Sequence, residues 1–216
     1  MTVEARGKSE EDPRVADPPV GYTIVLPPAW RKIPVRQGPE QAIRAIVDQA
    51  LRNLPTNVPR DKVAPYRKEL ERQLASAVCQ ARRSGAVDLY LPVELMHGAP
   101  IAASFIVSEG SLGSVTDIEP EMIISYLASG CDDNRAVTVD GAIGVRLERT
   151  ARPDQSQGIE HGSRRVDYVI SVPAEADRWV VVAFSTLGGG DPDDQYATIL
   201  VELFDAIMST FRWRRA

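Results

Sequence analysis

Two histidines, two cysteines and a few short acidic clusters are the polar groups with which this 216-residue chain could do chemistry. His97 precedes Gly98 and His161 precedes Gly162. Neither has a second His or a Cys at metal-ligand spacing, so both are expected in turns or loops rather than around zinc. Cys79 reads as a small apolar residue on a helix. Cys131 lies in a Gly-Cys-Asp-Asp turn, where Asp132 and Asp133 would raise a thiol pKa rather than activate it. Ser111, within Gly110-Ser111-Leu112-Gly113, lacks the Gly-x-Ser-x-Gly elbow of a hydrolase nucleophile. A Ser-His-Asp or Cys-His set that meets only in space stays open.

Gly188-Gly189-Gly190 before a helical stretch invites a phosphate-loop reading. The lysine such a loop needs is missing, and the aspartates that follow would repel phosphate. Those aspartates, like Asp132-Asp133-Asn134, do not alternate as calcium-loop ligands do and do not end in Glu, so both clusters are expected as solvated turns. The carboxylates Glu94, Glu109, Glu148 and Asp167 fall on strand-like segments with nothing in linear sequence to pair them, and are expected as exposed strand-face charges. The tail Arg212-Trp213-Arg214-Arg215 reads as a helix-dipole cap with Trp213 packed back on the sheet, rather than as a nucleic-acid contact. The sequence therefore assigns no catalytic, cofactor-binding or metal-ligating residue and implies no cofactor.

Elements must be found to hold these groups. With 44% apolar and 25% charged residues the composition is that of a globular chain. The net charge of −5 offers no general attraction to nucleic acid or an anionic membrane. No apolar run approaches the 18 or so residues of a membrane span. Residues 1–19, charged and proline-rich, are expected as a disordered tail and not a secretory signal, with cytoplasmic residence as the default. Arginine outnumbers lysine, the usage of GC-rich, actinobacterial-like genomes, and this says nothing about mechanism.

From Gly21 the chain alternates between strand and helix signals. Tyr22–Leu26 and Ala29–Val35 read as an opening strand hairpin. Residues 39–53 and 61–84 place apolar residues at helical spacing, with Asp61 as N-cap and Gly85 as the stop of the second. Strands follow at 87–93, 101–107, 136–139, 143–149, 165–172 and 179–186, with a short helix at 120–129 and a long loop at 150–163. Asp140-Gly141 is a hairpin turn signal. The six residues between the last two strands are too few for a parallel crossover. Asp191 as N-cap and Pro192 at the first helical position open a closing helix. This order predicts one α+β domain over 20–216, a mainly antiparallel sheet packed against helices, with the helical hairpin 39–84 as an insertion.

The opening Gly21-Tyr22-Thr23-Ile24-Val25-Leu26-Pro27-Pro28-Ala29-Trp30, and the last strand and helix ending Ser209-Thr210-Phe211-Arg212-Trp213, resemble PsbP-like α/β sandwiches, including the LpqN-type actinobacterial proteins. The resemblance covers residues 21–38 and 163–213. It implies a binding or assembly factor without catalytic residues. The absent catalytic signatures and the two long amphipathic helices make the expected function a non-catalytic protein-interaction or assembly factor, reaching another protein or a second copy through the 39–84 helices or an open sheet edge. The alternative is a small-molecule binding domain with its pocket between sheet and helices, the 150–163 loop serving as lid.

Overall fold

The computed structural model describes residues 17–54, 59–96, 98, 101–111, 131–153, 162–188 and 190–216. The expected helix at 120–129, both histidines and most of the expected tail lie outside the described residues. The strands are β1 (Gly21–Thr23), β2 (Trp30–Pro34), β3 (Ala86–Pro92), β4 (Ala103–Ser111), β5 (Asp133–Val139), β6 (Ala142–Ala151), β7 (Ser163–Val172), β8 (Glu175–Thr186) and β9 (Arg212–Arg214). The helices are α1 (Pro39–Arg52), α2 (Arg60–Arg83) and α3 (Gln195–Ser209). Seven strands form one sheet in the order β2-β3-β4-β8-β7-β6-β5, every pair antiparallel. β1 and β9 form a separate two-stranded ribbon. The α+β class with a mainly antiparallel sheet is thus the observed one.

Side chains alternate across a strand, so each strand serves two faces. On one face Phe105, Val107, Val166, Tyr168, Ile170, Val180, Val182 and Phe184 meet α3 through Leu200, Val201, Phe204, Ile207 and Met208. Phe204 stacks on Phe184 at 4.7 Å between ring centroids and tilts against Phe105 at 5.5 Å. On the other face α1 and α2 cover the β2–β3 end, where Ile43, Ile46, Val47, Val78 and Ala81 bury Ile33, Val35, Ala86 and Leu89. Val145, Leu147, Val169 and Trp179 make a third, smaller cluster further along that same face.

Turn chemistry accounts for the connections. Asp140 (φ 47°) and Gly141 (φ 81°) both take the left-handed region, the demand of the two-residue turn between β5 and β6. Gly85, at φ 77°, closes α2. Pro173 and Ala174 join β7 to β8, with Ala174 at φ 65°.

Several expectations are corrected. The opening segment is not a hairpin, because β1 pairs with β9 while β2 pairs with β3. Its strand also ends at Thr23, and beyond it Val25 N–H donates to Thr210 Oγ1 at 2.9 Å. α2 begins one residue before Asp61, with Pro59 at the N-cap and no side-chain cap. α3 begins later than expected. Asp194, not Asp191, is its N-cap and accepts from Ala197 N, while Asp191 forms a turn that receives Asp194 N–H at 3.2 Å. The first strand after the Ala99-Pro100 region runs over 103–111 rather than 101–107. β8 reaches back to Glu175, so the last hairpin is tight. Both ends of the expected 150–163 loop are strand, since β6 continues to Ala151 and β7 starts at Ser163, and its residues 154–161 lie outside the described residues. The arginine-rich tail is a strand, β9, with Trp213 half-buried against Phe211.

Candidate functional site

The helix-hairpin face of the sheet holds a hollow of about 840 Å³. Cross-strand register explains it row by row. One row runs Ser104–Ser185–Arg165–Arg149 across β4, β8, β7 and β6. The next runs Ile106–Ala183–Asp167–Leu147, and a third Ser108–Val181–Val169–Val145. On β4 and β8, where the opposite face carries Phe105, Val107, Val182 and Phe184, this face carries Ser, Ala, Ile and Val. Small side chains on the central strands leave a trough. The helical hairpin, ending at Ser84, bounds one side, and the end of β6 with Asp132 and Ser163 bounds the other.

The charged wall is compact. Asp167 is 5% exposed, and its carboxylate meets Arg165 Nε at 2.9 Å and Arg149 Nη1 at 3.4 Å. Like charges directly opposite in a sheet repel. Arg149 and Arg165 are cross-strand partners, and the carboxylate beneath them offsets that repulsion. Arg165 engages Asp167 only through Nε, and its side chain is 54% exposed. Asp132 Oδ2 accepts the Thr150 N–H at 2.6 Å. A wall of this kind can bind and orient a polar ligand. A second hollow of about 370 Å³, lined by Leu91, Ile101, Ala103 and Leu187, shares Ser104 and Ser185 with the first. The second hollow lies at the end of the sheet, since its Ile101 and Ala103 pack with the α3-side core while Leu91 packs on the helical-hairpin face.

Glu148 and Asp167 were expected on exposed strand faces. Both are buried instead, on opposite faces of the sheet, because guanidinium groups reach them. Glu148 bonds Arg146 Nη1 at 2.7 Å and the Arg164 guanidinium. Arg146 also bonds Asp205 of α3 at 2.9 Å, and Tyr168 OH donates to the same carboxylate at 2.8 Å. Burial opposes the charge on Arg146, yet these two carboxylates hold its pKa above the ordinary range. Burial, helped by the bond to Asp205, pushes Tyr168 up to about 12. This network fastens α3 to β6 and β7 and lies away from the trough.

A further polar group lies under β1. Tyr22 OH donates to Asp88 and lies 3.0 Å from Tyr90 OH, and Lys32 Nζ bonds Asp88 at 2.8 Å. Burial raises both tyrosine pKa values well above the usual phenol range. Tyr22 also stacks on Phe211 at 5.4 Å, so the group clamps the terminal ribbon on the sheet. Glu94 pairs with Arg31 and Glu109 with Arg36 and Arg178, three part-exposed surface ion pairs. Cys79 is exposed on α2, and Cys131 packs against the small cluster around Trp179. Among the described residues no group of three or more His, Cys, Asp or Glu side chains is placed to hold a metal ion, and no helix is long and apolar enough to cross a membrane.

The trough was missed in the sequence because its residues are unremarkable singly. Its signal was the alternation in 103–108 and 180–185, where one face is aromatic and aliphatic and the other small and hydroxylated. The paired arginines needed the register of β6 on β7, which no linear spacing reports. No protein-family model matches this sequence and no curated protein matches it, so the chemistry of the trough is read from its geometry alone.

Proposed function

We propose that this chain is a non-catalytic binding protein that takes a small organic ligand in the trough between the sheet and the helical hairpin. One observation carries this reading. Four central positions of one sheet face, Ser104, Ser108, Ala183 and Ser185, are small where the flanking surface is filled by helices or by large side chains. The resulting volume of about 840 Å³ lies within the usual range for ligand sites, roughly 300–1,000 Å³. The resemblance to PsbP-like sandwiches supports a binding role, and the two stretches that carry it are hydrogen-bonded to each other as β1 and β9. Cytoplasmic residence belongs to the same proposal.

An NMR-detected screen of small organic fragments against the isotope-labelled protein tests it. Amide shifts at Ser104, Ala183 and Ser185, lost in Ala183→Phe, are the expected result. A screen in which no fragment moves these amides would overturn the reading.

Protein interaction through the 39–84 helices is the second reading. Its support is the N-terminal half of α2, where Tyr66 is exposed and Val63 and Leu70 are half-buried. Against it, the outer surface of α2 carries Lys62, Lys68, Glu69, Arg72 and Gln73, and the C-terminal half of its stripe is spent on β3. Light scattering on the eluting protein and a pulldown with a Tyr66→Glu control separate the two readings. A strict monomer without partners removes the second.

A further inference from the structure

We infer that the outer edge of β5 docks an extended peptide of another protein, which adds as an antiparallel strand and lays two apolar side chains over the gap between β5 and α3. This site lies apart from the trough and does not depend on it. β5 ends the large sheet, and among the described residues no strand pairs with its outer side. Val139 and Ala142 flank the two-residue turn, so Val139, Val137, Arg135 and Asp133 turn their backbone groups toward β6. Asn134, Ala136 and Thr138 turn theirs outward, and all three are exposed. Natural sheets blunt such an edge with lysine or proline. The opposite edge strand, β2, carries Lys32 and Pro34, whereas β5 carries neither type.

A hollow of about 470 Å³ opens beside that edge on the α3 face. Val137, Thr138 and Val139 line it from β5, and Met208, Ser209 and Phe211 line it from the end of α3 and just beyond. Its rim charges are balanced, because Asp205 pairs with Arg135 at 3.3 Å and Asp140 faces Arg212 at 3.8 Å. Recognition here therefore falls to backbone hydrogen bonds and apolar contact. An extended chain is the ligand whose N–H and C=O groups match an edge strand at two-residue spacing. Its residue opposite Thr138 points away from α3, and the two neighbours of that residue lie opposite Val137 and Val139, over the hollow. The occupant is thus a neutral segment with apolar residues two apart. A second copy of β5 does not meet this demand. The two-fold register that uses all three outward residues pairs Ala136 with its own counterpart, and it lays the charged Asp133 and Arg135 of the copy against Val139 and Val137.

NMR titration of the isotope-labelled protein with a synthetic seven-residue peptide tests the assignment. The peptide has valine at its third and fifth positions, threonine between and beside them, and lysine and glutamate at its two ends. One control replaces both valines by asparagine, and another carries an N-methyl group on the central threonine. The valine peptide is expected to move the amides of Ala136 and Thr138, to leave those of Ser104 and Ser185 in the trough unmoved, and to bind at least about tenfold more tightly than either control. Thr138→Pro should abolish its binding. Proline is tolerated where an edge-strand N–H faces outward, so the sheet should persist, and the N-methylated peptide decides the matter should this variant fail to fold. Tyr66→Glu, on α2, should change nothing. Equal binding of the asparagine peptide overturns the apolar groove, and equal binding of the N-methylated peptide overturns strand addition. Absence of any shift along β5 overturns the site. A dimer in light scattering that dissociates in Thr138→Pro gives the edge to a second copy and overturns the peptide.

Discussion

Replacing Asp205 should cost more stability than replacing Arg146, although each loses the same bond. The Arg146 side chain is 4% exposed and pairs with Asp205 at 2.9 Å and Glu148 at 2.7 Å. In Asp205→Ala the buried guanidinium keeps Glu148, which is already shared with Arg164, and the exposed Asp133 at 3.8 Å. Stranding one member of a fully buried pair costs about 3–5 kcal/mol. Asp205 is 25% exposed, so water can replace part of what is lost and the lower end applies. The Tyr168 hydroxyl loses its acceptor as well, about 1 kcal/mol. A total near 3–4 kcal/mol is expected. Arg146→Met behaves differently. It removes the charge that is hardest to solvate, and both carboxylates keep partners: Glu148 keeps Arg164, and Asp205 keeps Tyr168 and Arg135. A cost of about 1–2 kcal/mol follows, and the double variant should fall short of the summed singles by about 1–2 kcal/mol. Urea unfolding followed by circular dichroism measures all three at constant m-value. Strict additivity, or a larger loss in Arg146→Met, would refute the claim that Asp205 serves chiefly to compensate a buried guanidinium.

Other outcomes are expected from single sites. Gly144→Ala places a Cβ 2.6 Å from the Val169 carbonyl oxygen on β7, so it should lower the urea midpoint by an amount equivalent to about 1–3 kcal/mol. Ala174→Gly relieves a left-handed backbone at φ 65° and should stabilise the β7–β8 hairpin by up to about 1 kcal/mol, read in the same assay. Phe204→Ala removes the ring between Phe184 and Phe105 and should cost about 3–5 kcal/mol, with calorimetric melting as the check. Tyr168 has a pKa raised to about 12 in the folded protein, so its contribution is complete below the free phenol value of about 10 and fades as pH rises through 12. Tyrosinate absorbance should therefore rise late and together with unfolding, and Tyr168→Phe should flatten the alkaline loss of stability by about one proton.

The parts of this fold that the sequence disclosed are those set by local chemistry. Asp140-Gly141 announces its hairpin because two successive left-handed residues suit few other pairs. α1 and α2 were legible within a residue or two at their ends because their apolar spacing has the helical period. What the sequence concealed depends on partners distant along the chain. Tyr22–Thr23 reads equally well as half of a hairpin with 29–35, and only the tertiary pairing with Arg212–Trp213 decides otherwise. Glu148 and Asp167 look like solvent-facing strand charges until Arg146, Arg164, Arg149 and Arg165 are brought beside them by register. Asp191-Pro192 carries every local mark of a helix start, yet Asp194 supplies the cap. The reason is visible in the turn that Asp191 closes instead, accepting the Asp194 amide. The trough is the extreme case, since its defining property is what four small side chains leave empty.

The ribbon of β1 and β9 joins residues about 190 positions apart, and α3 is the element just before β9. A ribosome therefore delivers all seven strands of the large sheet before it delivers α3, the helix that packs on the face bearing Phe105, Val182 and Phe184, and before β1 has its partner. For the time it takes to add residues 195–214, the nascent chain carries an apolar sheet face that lacks Leu200, Val201, Phe204, Ile207 and Met208 of α3. Pairings of such sequence separation are slow to close, and bare apolar sheet is the surface on which chains stick to one another. Premature release in this window should yield aggregates rather than a smaller folded species, which makes the addition of residues 195–214 a stage of synthesis exposed to a failed fold.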